Sequence, residues 1–430
     1  MEQTYISDLD NHAGEEVLIK GWCYNKRSSG KIHFLQLRDG TGFIQGVAVK
    51  GEVPGKAFDD ADRLTIESSV IVKGVVRVDK RAPSGLELSV SDLEVVQITE
   101  DYPIGKKEHG VGFLMEMRHL AIRHKKPGAI LRVRSEAVQA VRDYFYNKGY
   151  VLFDAPIFTP NACEGTSTLF SVDYFGQAAY LSQSGQLYGE AGAMAFGKIV
   201  VFGPSFRAEK SKTRRHLTEY WHVEPEVAYL DLDANMKLQE DMLCYVVGRI
   251  LEKCRGELEE LERDLSKLEV VKPPFARVSY DEAVKTLHDV GQEFEWGGDF
   301  GAPDETVLAS KFDRPFFVHH FPKEIKAFYM APDPEDERVS LSVDCLAPEG
   351  YGEIIGGGQR AEDYNYLVEK IKENNLSLAD YSWYLDLRKY GTVPHGGFGL
   401  GIERLVGWLC GTHHIRETIP FPRTIDRLSP

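Results

Sequence analysis

Long apolar runs are the first thing this sequence lacks. Nowhere among its 430 residues do about eighteen apolar side chains follow one another, and the opening MEQTYISDLDNHAGEE has no basic stretch leading into an apolar one. Neither a membrane span nor a secretory signal is expected, and the chain reads as soluble and cytoplasmic, with no membrane partner. Cysteine is scarce: Cys23, Cys163, Cys244, Cys254, Cys345 and Cys410 stand far apart, with no CxxC spacing and no Cys/His cluster, which argues against a disulfide framework and a zinc site. Positive charge is in deficit, 51 Lys and Arg against 66 Asp and Glu for a net −15, so any nucleic-acid contact must be local. No strand-GxGxxG-helix unit occurs, which removes a dinucleotide-binding domain, and no internal repeat stands out.

What is present changes period along the chain. Between Val17 and Ile98 lie short runs of strand composition, EEVLIKGWCYNKR, KIHFLQLRDGTGFIQGVAVK, SSVIVKGVVRV and LELSVSDLEVVQI, with Asp39-Gly40-Thr41-Gly42 as a hairpin signal. The spacing predicts about five strands closed into a small barrel of the OB type over residues 1–102. A basic stretch over 103–128, with Lys106, Lys107, Arg118, Arg123, Lys125 and Lys126, reads as a hinge whose charge either meets a phosphate backbone or is simply solvated. From Ala129, AILRVRSEAVQAVRDYFYNKGY has helical spacing that stops at Gly149, a glycine C-cap. Strands such as KIVVFGPSFRAE, EYWHVEPEVAYL and RPFFVHHF then mix with helices, including one long run over ANMKLQEDMLCYVVGRILEKCRGELEELERDL, in no βαβ rhythm. The fold class is α+β, with a barrel module ahead of a larger domain over 129–430.

Three separated segments set arginines and acids beside glycines or aromatics: VFGPSFRAEKSKTRRHLTEYWHVEPE, LAPEGYGEIIGGGQR and VPHGGFGLGIERLVGWL. Singly they read as a strand end with a surface ion pair, a turn, and a strand feeding an amphipathic helix. Together they supply what a nucleoside triphosphate site without a Walker loop needs: arginines for phosphate oxygens, carboxylates for Mg²⁺ and an aromatic face for the base. Arg207, Arg215 and Arg404 are the candidate phosphate ligands, Asp344 and Glu353 the candidate Mg²⁺ ligands, and Tyr220 the stacking surface for ATP. The glycines of GGFGLG, ending at Gly401, permit close backbone approach to a ligand.

In order and spacing these segments resemble the class II aminoacyl-tRNA synthetases of the aspartate, asparagine and lysine subgroup, over essentially the whole chain. GYVLFDAP, ending at Pro156, resembles motif 1; FGPSFRAE through TRRHLTEYWHVEPE resembles motif 2; GGFGLGIERL resembles motif 3. The resemblance implies an antiparallel catalytic sheet flanked by helices, a homodimer built through motif 1, and an anticodon-binding barrel. It also implies ATP-dependent, AMP-forming attachment of an amino acid to tRNA through an adenylate. Carried over by residue, Arg207 would bind the α-phosphate and activated carboxyl, Glu209 would face the adenine side, Tyr220 would stack on adenine and Arg404 would hold the γ-phosphate. Arg215 and His216 would lie near ATP and the acceptor end, and Asp344 and Glu353 resemble the magnesium ligands. Arg207 and Arg404 are thus the implied catalytic pair. In the barrel, Phe34 and Gln45 align with residues that stack on and read the middle uridine of the anticodon, with Lys26 and Arg27 as backbone contacts. Periodicity alone reads them as a core phenylalanine and a surface glutamine.

Asparagine and aspartate are nearly isosteric, so a pocket separates them by charge and hydrogen-bond polarity. Arg360 matches the subgroup residue that grips the side-chain oxygen of either, with Gly356 making room. In LSQSGQLYGE, Gly189 stands where aspartate members of the subgroup carry a lysine, and Glu190 follows it. Without that cation a buried substrate carboxylate is uncompensated, and Glu224 and Glu226 raise its cost, whereas an amide NH₂ can donate to a carboxylate. Asparagine, and with it tRNA(Asn), is the expected substrate pair. Glu224 is expected to accept from the amide or the α-ammonium, Glu164 resembles a mobile-loop acid that meets the ammonium, and Gln186 resembles a residue lining the amino-acid site. Three alternatives stay open: an aspartate enzyme of the subgroup, a tRNA-independent asparagine synthetase on the same core, and a non-catalytic nucleic-acid-binding module. The absent lysine, the attached barrel and the intact arginines and acids count against each in turn.

Overall fold

The computed structural model describes every residue except 83, 106, 108, 166 and 167, and the chain divides into two units, Met1–Glu116 and Met117–Pro430. Lys106 of the basic stretch lies outside the described residues.

In the first unit β1 (Glu16–Ser29), β2 (Ile32–Arg38), β3 (Phe43–Val49), β4 (Ser68–Val78) and β5 (Leu86–Gln97) close into a barrel in the order β1-β2-β3-β5-β4, the expected strand set. Alternation builds it: Leu35 and Leu37, Ile44, Val70 and Val72, and Leu88 and Val90 turn into one core, leaving their neighbours outside. The expected hairpin is fixed by Asp39, whose carboxylate accepts from the backbone of Thr41 at 2.8 Å and Gly42 at 3.2 Å, while Gly40 takes φ +96°. One element differs from the strand-only expectation. Residues Gly55–Arg63 form a helix whose Ala57, Phe58 and Ala61 join the barrel core. Ala57, Phe58 and Ala61 stand at helical spacing in GKAFDDADR, a signal that the strand reading of this stretch passed over.

The second unit adds β6 (Val151–Leu152), β7 (Phe158–Thr159), β8 (Ser171–Tyr174), β9 (Gln177–Leu181), β10 (Lys198–Phe206) and β11 (Glu219–Ala228). It continues with β12 (Arg277–Ser279), β13 (Phe316–His319), β14 (Ser342–Ala347), β15 (Gly352–Gln359) and β16 (His395–Gly401). Eight strands form one sheet in the order β12-β13-β14-β15-β16-β11-β10-β6, and β7, β9 and β8 form a small separate one. The large sheet is antiparallel except at β12/β13 and β10/β6.

Helices Lys125–Asn147, Leu232–Lys253 and Ile402–Cys410 share a core with one face of this sheet, where Val141, Val246 and Leu405 meet Val223, Ile355 and Leu400. Side chains alternate along a strand, so Tyr220, His222, Glu224 and Glu226 of β11 belong to the opposite face. From the helical layer, Asn235 Nδ2 donates to Gly358 O at 3.2 Å and Gly397 O at 2.9 Å, pinning β15 and β16 together. Gly149 follows the first helix at φ +76°, as its C-cap role predicts. The long helix expected from Ala234 onward is instead two, Leu232–Lys253 and Arg255–Glu260, broken at Cys254, whose φ of −121° lies outside the helical range.

The basic stretch is also more structured than a hinge. Arg118 is buried and donates to the carbonyls of Pro420, Glu417 and Ile419 at 2.8, 3.1 and 2.9 Å, and Lys126 pairs with Glu262 at 3.0 Å. Arg118 thus serves the fold, while Lys126 stands in an exposed surface ion pair. Among the described residues no helix is long and apolar enough to cross a membrane.

Candidate active site

The eight residues singled out for ATP gather around one cleft. Tyr220 reaches it from β11, Arg207, Glu209, Arg215 and His216 from the loop between β10 and β11, Glu353 from β15, and Gly401 and Arg404 from the β16-helix junction. Arg207 has a buried Nε with no hydrogen-bond partner, and its guanidinium lies 5.7 Å from the Tyr220 ring centroid. Burial disfavours its charge, but Tyr220, Glu164, Glu209 and Glu353 outweigh that and raise its pKa. A cation held this way, with an open donor beside an aromatic face, is suited to an anionic ligand with a planar base. Arg404 donates to Glu353 O at 2.8 Å and Glu353 Oε2 at 3.0 Å. Arg215 already has its fork engaged by Glu305 and the carbonyl of Gly350. Burial, then Arg404, lowers the His216 pKa, and its Nε2 stands 3.5 Å from Glu209.

A second cleft shares Arg207, His222, Glu353 and Gly399 with the first, and it collects Glu164, Gln186, Glu224, Gly356, Arg360 and Asp344. The glycines of β16 make it possible. A Cβ on Gly399 would sit 2.4 Å from His222 Nε2, and one on Gly397 would sit 2.4 Å from Glu226 Oε1, so the β11 side chains lie over bare backbone. Glu224 accepts from Gly185 N at 2.8 Å and from the Ser184 hydroxyl, and stands 3.0 Å from His222 Nδ1. Burial would raise its pKa; His222, Ser184 and Gly185 more than offset that and hold it low. Glu226 is gripped by Arg360 through Nη2 at 2.5 Å and Nε at 3.2 Å. Burial still lifts its carboxyl to about 7 against Arg360, with Glu190 adding to the rise. A Cβ on Gly189 would meet Glu226 Cγ at 3.2 Å, so the position without a lysine packs directly on this acid. Tyr329 donates to Glu164 at 2.8 Å, and Gln183 holds the loop beneath through the backbone of Cys163 at 3.0 Å and Glu164 at 2.9 Å.

Residues 111–425 match the family model of class II tRNA synthetases (D, K and N), and residues 17–96 match that of the OB-fold nucleic acid binding domain. The chain belongs to the class II tRNA synthetases of the D, K and N group. Asparagine–tRNA ligases from Desulforamulus reducens, 56% identical over 430 residues, and Koribacter versatilis, 57% identical over 442 residues, are each covered in full, as is this chain. The crystal structure of asparaginyl-tRNA synthetase from Pyrococcus horikoshii complexed with asparaginyl-adenylate matches at a TM-score of 0.97 and 48% identity, with both chains fully covered.

Several residues of the synthetase's site carry no sequence signal of their own. Lys326 donates to Asp344 Oδ2 at 2.6 Å, and Arg404 occupies Glu353 Oε2 at 3.0 Å. The other oxygens, Asp344 Oδ1 and Glu353 Oε1, converge over Gly356, at 3.4 and 2.8 Å from where its Cβ would be. Burial, opposed by Lys326 and helped by Glu353, pushes Asp344 up to about 7, while burial of Glu353 is outweighed by Arg404 and Lys326. Two hard oxygens in an acid-rich pocket can hold a divalent cation. Among the described residues no three His, Cys, Asp or Glu side chains form a metal cage, so such an ion would complete its shell from phosphate and water. Lys326 and Tyr329 lie in IKAFYMAP, outside all three motifs. His222 was not singled out from the sequence, although it shares period 2 with Tyr220, Glu224 and Glu226.

On the barrel, Phe34 and Gln36 of β2 and Gln45 of β3 share the outer face, with Gln36 opposite Gln45 and Arg27 opposite Phe34. The Arg27 guanidinium lies 5.0 Å from the Phe34 ring centroid. Lys26 instead donates to the carbonyls of Ala61, at 3.3 Å, and Asp62 at the end of the Gly55–Arg63 helix.

Proposed function

We propose that this synthetase attaches asparagine to tRNA(Asn), using ATP and passing through asparaginyl-adenylate. One observation carries the reading: the two clefts meet at Arg207, and the amino-acid wall beyond offers ionised Glu224 together with an Arg360 whose Nε and Nη2 are already engaged by Glu226. Such a wall suits an uncharged amide and opposes a carboxylate.

In this reading Arg360 meets the side-chain carbonyl oxygen, Glu224 accepts from the amide or the α-ammonium, and Glu164 and Gln186 complete the ammonium's surroundings. The α-carboxylate is thereby aimed past Arg207 at the α-phosphate. In-line attack forms the adenylate P–O bond and expels pyrophosphate, with Arg207 and Arg404 offsetting charge at the α- and γ-phosphates and Tyr220 stacking on adenine. Mg²⁺, held by Asp344 and Glu353, would neutralise polyphosphate charge when bound. The 3′-hydroxyl of the terminal tRNA adenosine then attacks the activated carbonyl, giving asparaginyl-tRNA and AMP.

The outer face of the barrel, with Phe34, Gln45 and Arg27, is our candidate anticodon surface: an unstacked base has an aromatic face to rest on and an amide to pair with. A homodimer through motif 1 is supported by the exposure of Val151, Leu152, Ile157 and Phe158, four apolar residues in one short stretch. A cytoplasmic enzyme is the reading that fits these substrates.

ATP–pyrophosphate exchange with asparagine or aspartate, each with and without tRNA, tests the proposal. Exchange with asparagine alone supports both reaction and charge argument; preference for aspartate removes the specificity reading; no exchange with either favours a non-catalytic module. Arg207→Ala is expected to abolish adenylate formation, and near-normal exchange in that variant would overturn its assignment.

A further inference from the structure

Gln183 stands just ahead of the cleft-lining Gln186, is almost fully buried, and takes no part in the mechanism above. Its side-chain amide makes four hydrogen bonds, all of them to the loop that carries Glu164. Oε1 accepts from the backbone N–H of Cys163 at 3.0 Å and of Glu164 at 2.9 Å, while Nε2 donates to the carbonyl of Gly165 at 2.9 Å and to the Thr168 hydroxyl at 2.6 Å. A backbone N–H only donates and a carbonyl oxygen only accepts, so these partners fix which end of the amide points where. The chain turns around the amide at Gly165, whose φ of +102° favours glycine. The base of Gln183 is fixed as well: Ser182 N donates to Ile157 O at 2.8 Å, and Ser182 O accepts from Phe206 N at 2.9 Å. From the loop held in this way Glu164 lines the amino-acid cleft, and Tyr329 donates to the tip of its carboxylate at 2.8 Å.

We propose that Gln183 is a positioning residue for asparagine binding: it holds the backbone at residues 163–165 so that the Glu164 carboxylate stands ready for the substrate's α-ammonium. This rests on the reading of the chain as an asparagine-charging enzyme in which Glu164 meets that ammonium. Glu164 is exposed, and an exposed carboxylate on an unheld backbone must lose conformational freedom each time it engages a ligand. Gln183 supplies that order before the substrate arrives. The site asks for two acceptances at one end of the side chain and two donations at the other, which an amide meets in full. A carboxylate there would accept from both N–H groups but oppose Gly165 O, and a thioether would fill the space and make none of the four bonds. Thr168 has a further tie, its carbonyl accepting from Ala208 N at 2.8 Å, so the loop's attachment beside Arg207 does not depend on Gln183. Asparagine and aspartate share the α-ammonium, so Gln183 sets affinity for the amino acid and leaves the choice of side chain to Arg360 and Glu224.

The test is Q183M in asparagine-dependent pyrophosphate exchange. The asparagine KM is expected to rise ~10-fold or more, with the ATP KM within ~2-fold of wild type. A merely structural role would lower the amount of active enzyme and move neither KM. In an E164A background, adding Q183M is expected to change kcat/KM for asparagine by less than ~2-fold, since the group that Gln183 positions is gone. Q183E, which keeps the acceptances and loses the donations, takes the place of Q183M if the latter does not fold, with the same expectation. If neither folds, Gln183 serves stability and the inference is overturned. An unchanged asparagine KM in a folded variant, an ATP KM that rises equally, or a loss of full size in the E164A background overturns this inference alone. Failure of the wild-type enzyme to exchange with asparagine overturns the functional reading and this inference with it.

Discussion

Gly399→Ala tests whether the clefts are shaped by absent side chains. The added methyl would sit 2.4 Å from His222 Nε2 and 2.9 Å from its Cε1, against ~3.5 Å for an ordinary contact. Gly399 is not among the glycines at positive φ, so its backbone tolerates alanine and space alone decides the outcome. The imidazole must move by ~1 Å, and His222 stands 3.0 Å from Glu224 Oε1 and 3.2 Å from Ser205 Oγ. Losing a hydrogen bond to a charged group costs ~1.5–3 kcal/mol, and a 1 Å misplacement at a reacting site costs ~10²-fold, so kcat/KM for asparagine should fall by roughly 30- to 100-fold. Overpacking should also cost ~1–3 kcal/mol of stability, read from the urea midpoint. Gly203→Ala is the control: its Cβ meets nothing within 4 Å, and activity should stay within ~2-fold of wild type. The assay is asparagine-dependent pyrophosphate exchange on protein shown to be folded. If folded Gly399→Ala keeps exchange within ~3-fold of wild type, His222 does not order Glu224 and the steric account is wrong.

Phe34→Ala should raise the tRNA KM by roughly 5- to 150-fold, the worth of one stacked base, while tRNA-independent exchange is unchanged; an equal loss in both assays would place the effect on folding. Leu152→Asp should shift the sedimenting species from dimer toward monomer, and a wild-type enzyme already active as a monomer would refute the assembly. Burial and His320 hold His319 down at about 4, whereas the unfolded imidazole titrates near 6.5. The unfolded chain therefore binds this proton first: the stability contribution is intact above pH 6.5 and is lost as pH falls toward 4. His319→Gln should flatten that decline by ~1 kcal/mol, after discounting for partial exposure, as read from urea midpoints at the two pH values.

The parts legible in the sequence are those whose information is local. Period 2 marked the barrel strands, and the glycines of GGFGLG announced a strand that something approaches closely. The helix Gly55–Arg63 escaped because it is only nine residues long and lies between strand runs, although Ala57, Phe58 and Ala61 stand at helical spacing. The break at Cys254 escaped because an acidic, helix-favouring run continues past it. Lys326 reaches Asp344 from 18 residues away, Arg388 and His395 reach Glu190 from 198 and 205 residues away, and nothing nearby marks them. Arg118 shows the opposite error: a basic residue in basic surroundings reads as available, and only the fold reveals three backbone carbonyls closing over it.

The floor beneath the amino-acid cleft is main chain, with Gly356 opposite Gly399 and Gly358 opposite Gly397, tied from behind by Asn235. A floor of this kind has no side chain to exchange. Enlarging the cleft from below is impossible because nothing can be removed, and a side chain at Gly399, Gly397 or Gly356 would collide with His222, Glu226 or Glu353 in turn. Any route to another amino acid, by evolution or by design, has to run through the walls: β11, the helix that begins at Gln186, and the loop that carries Glu164.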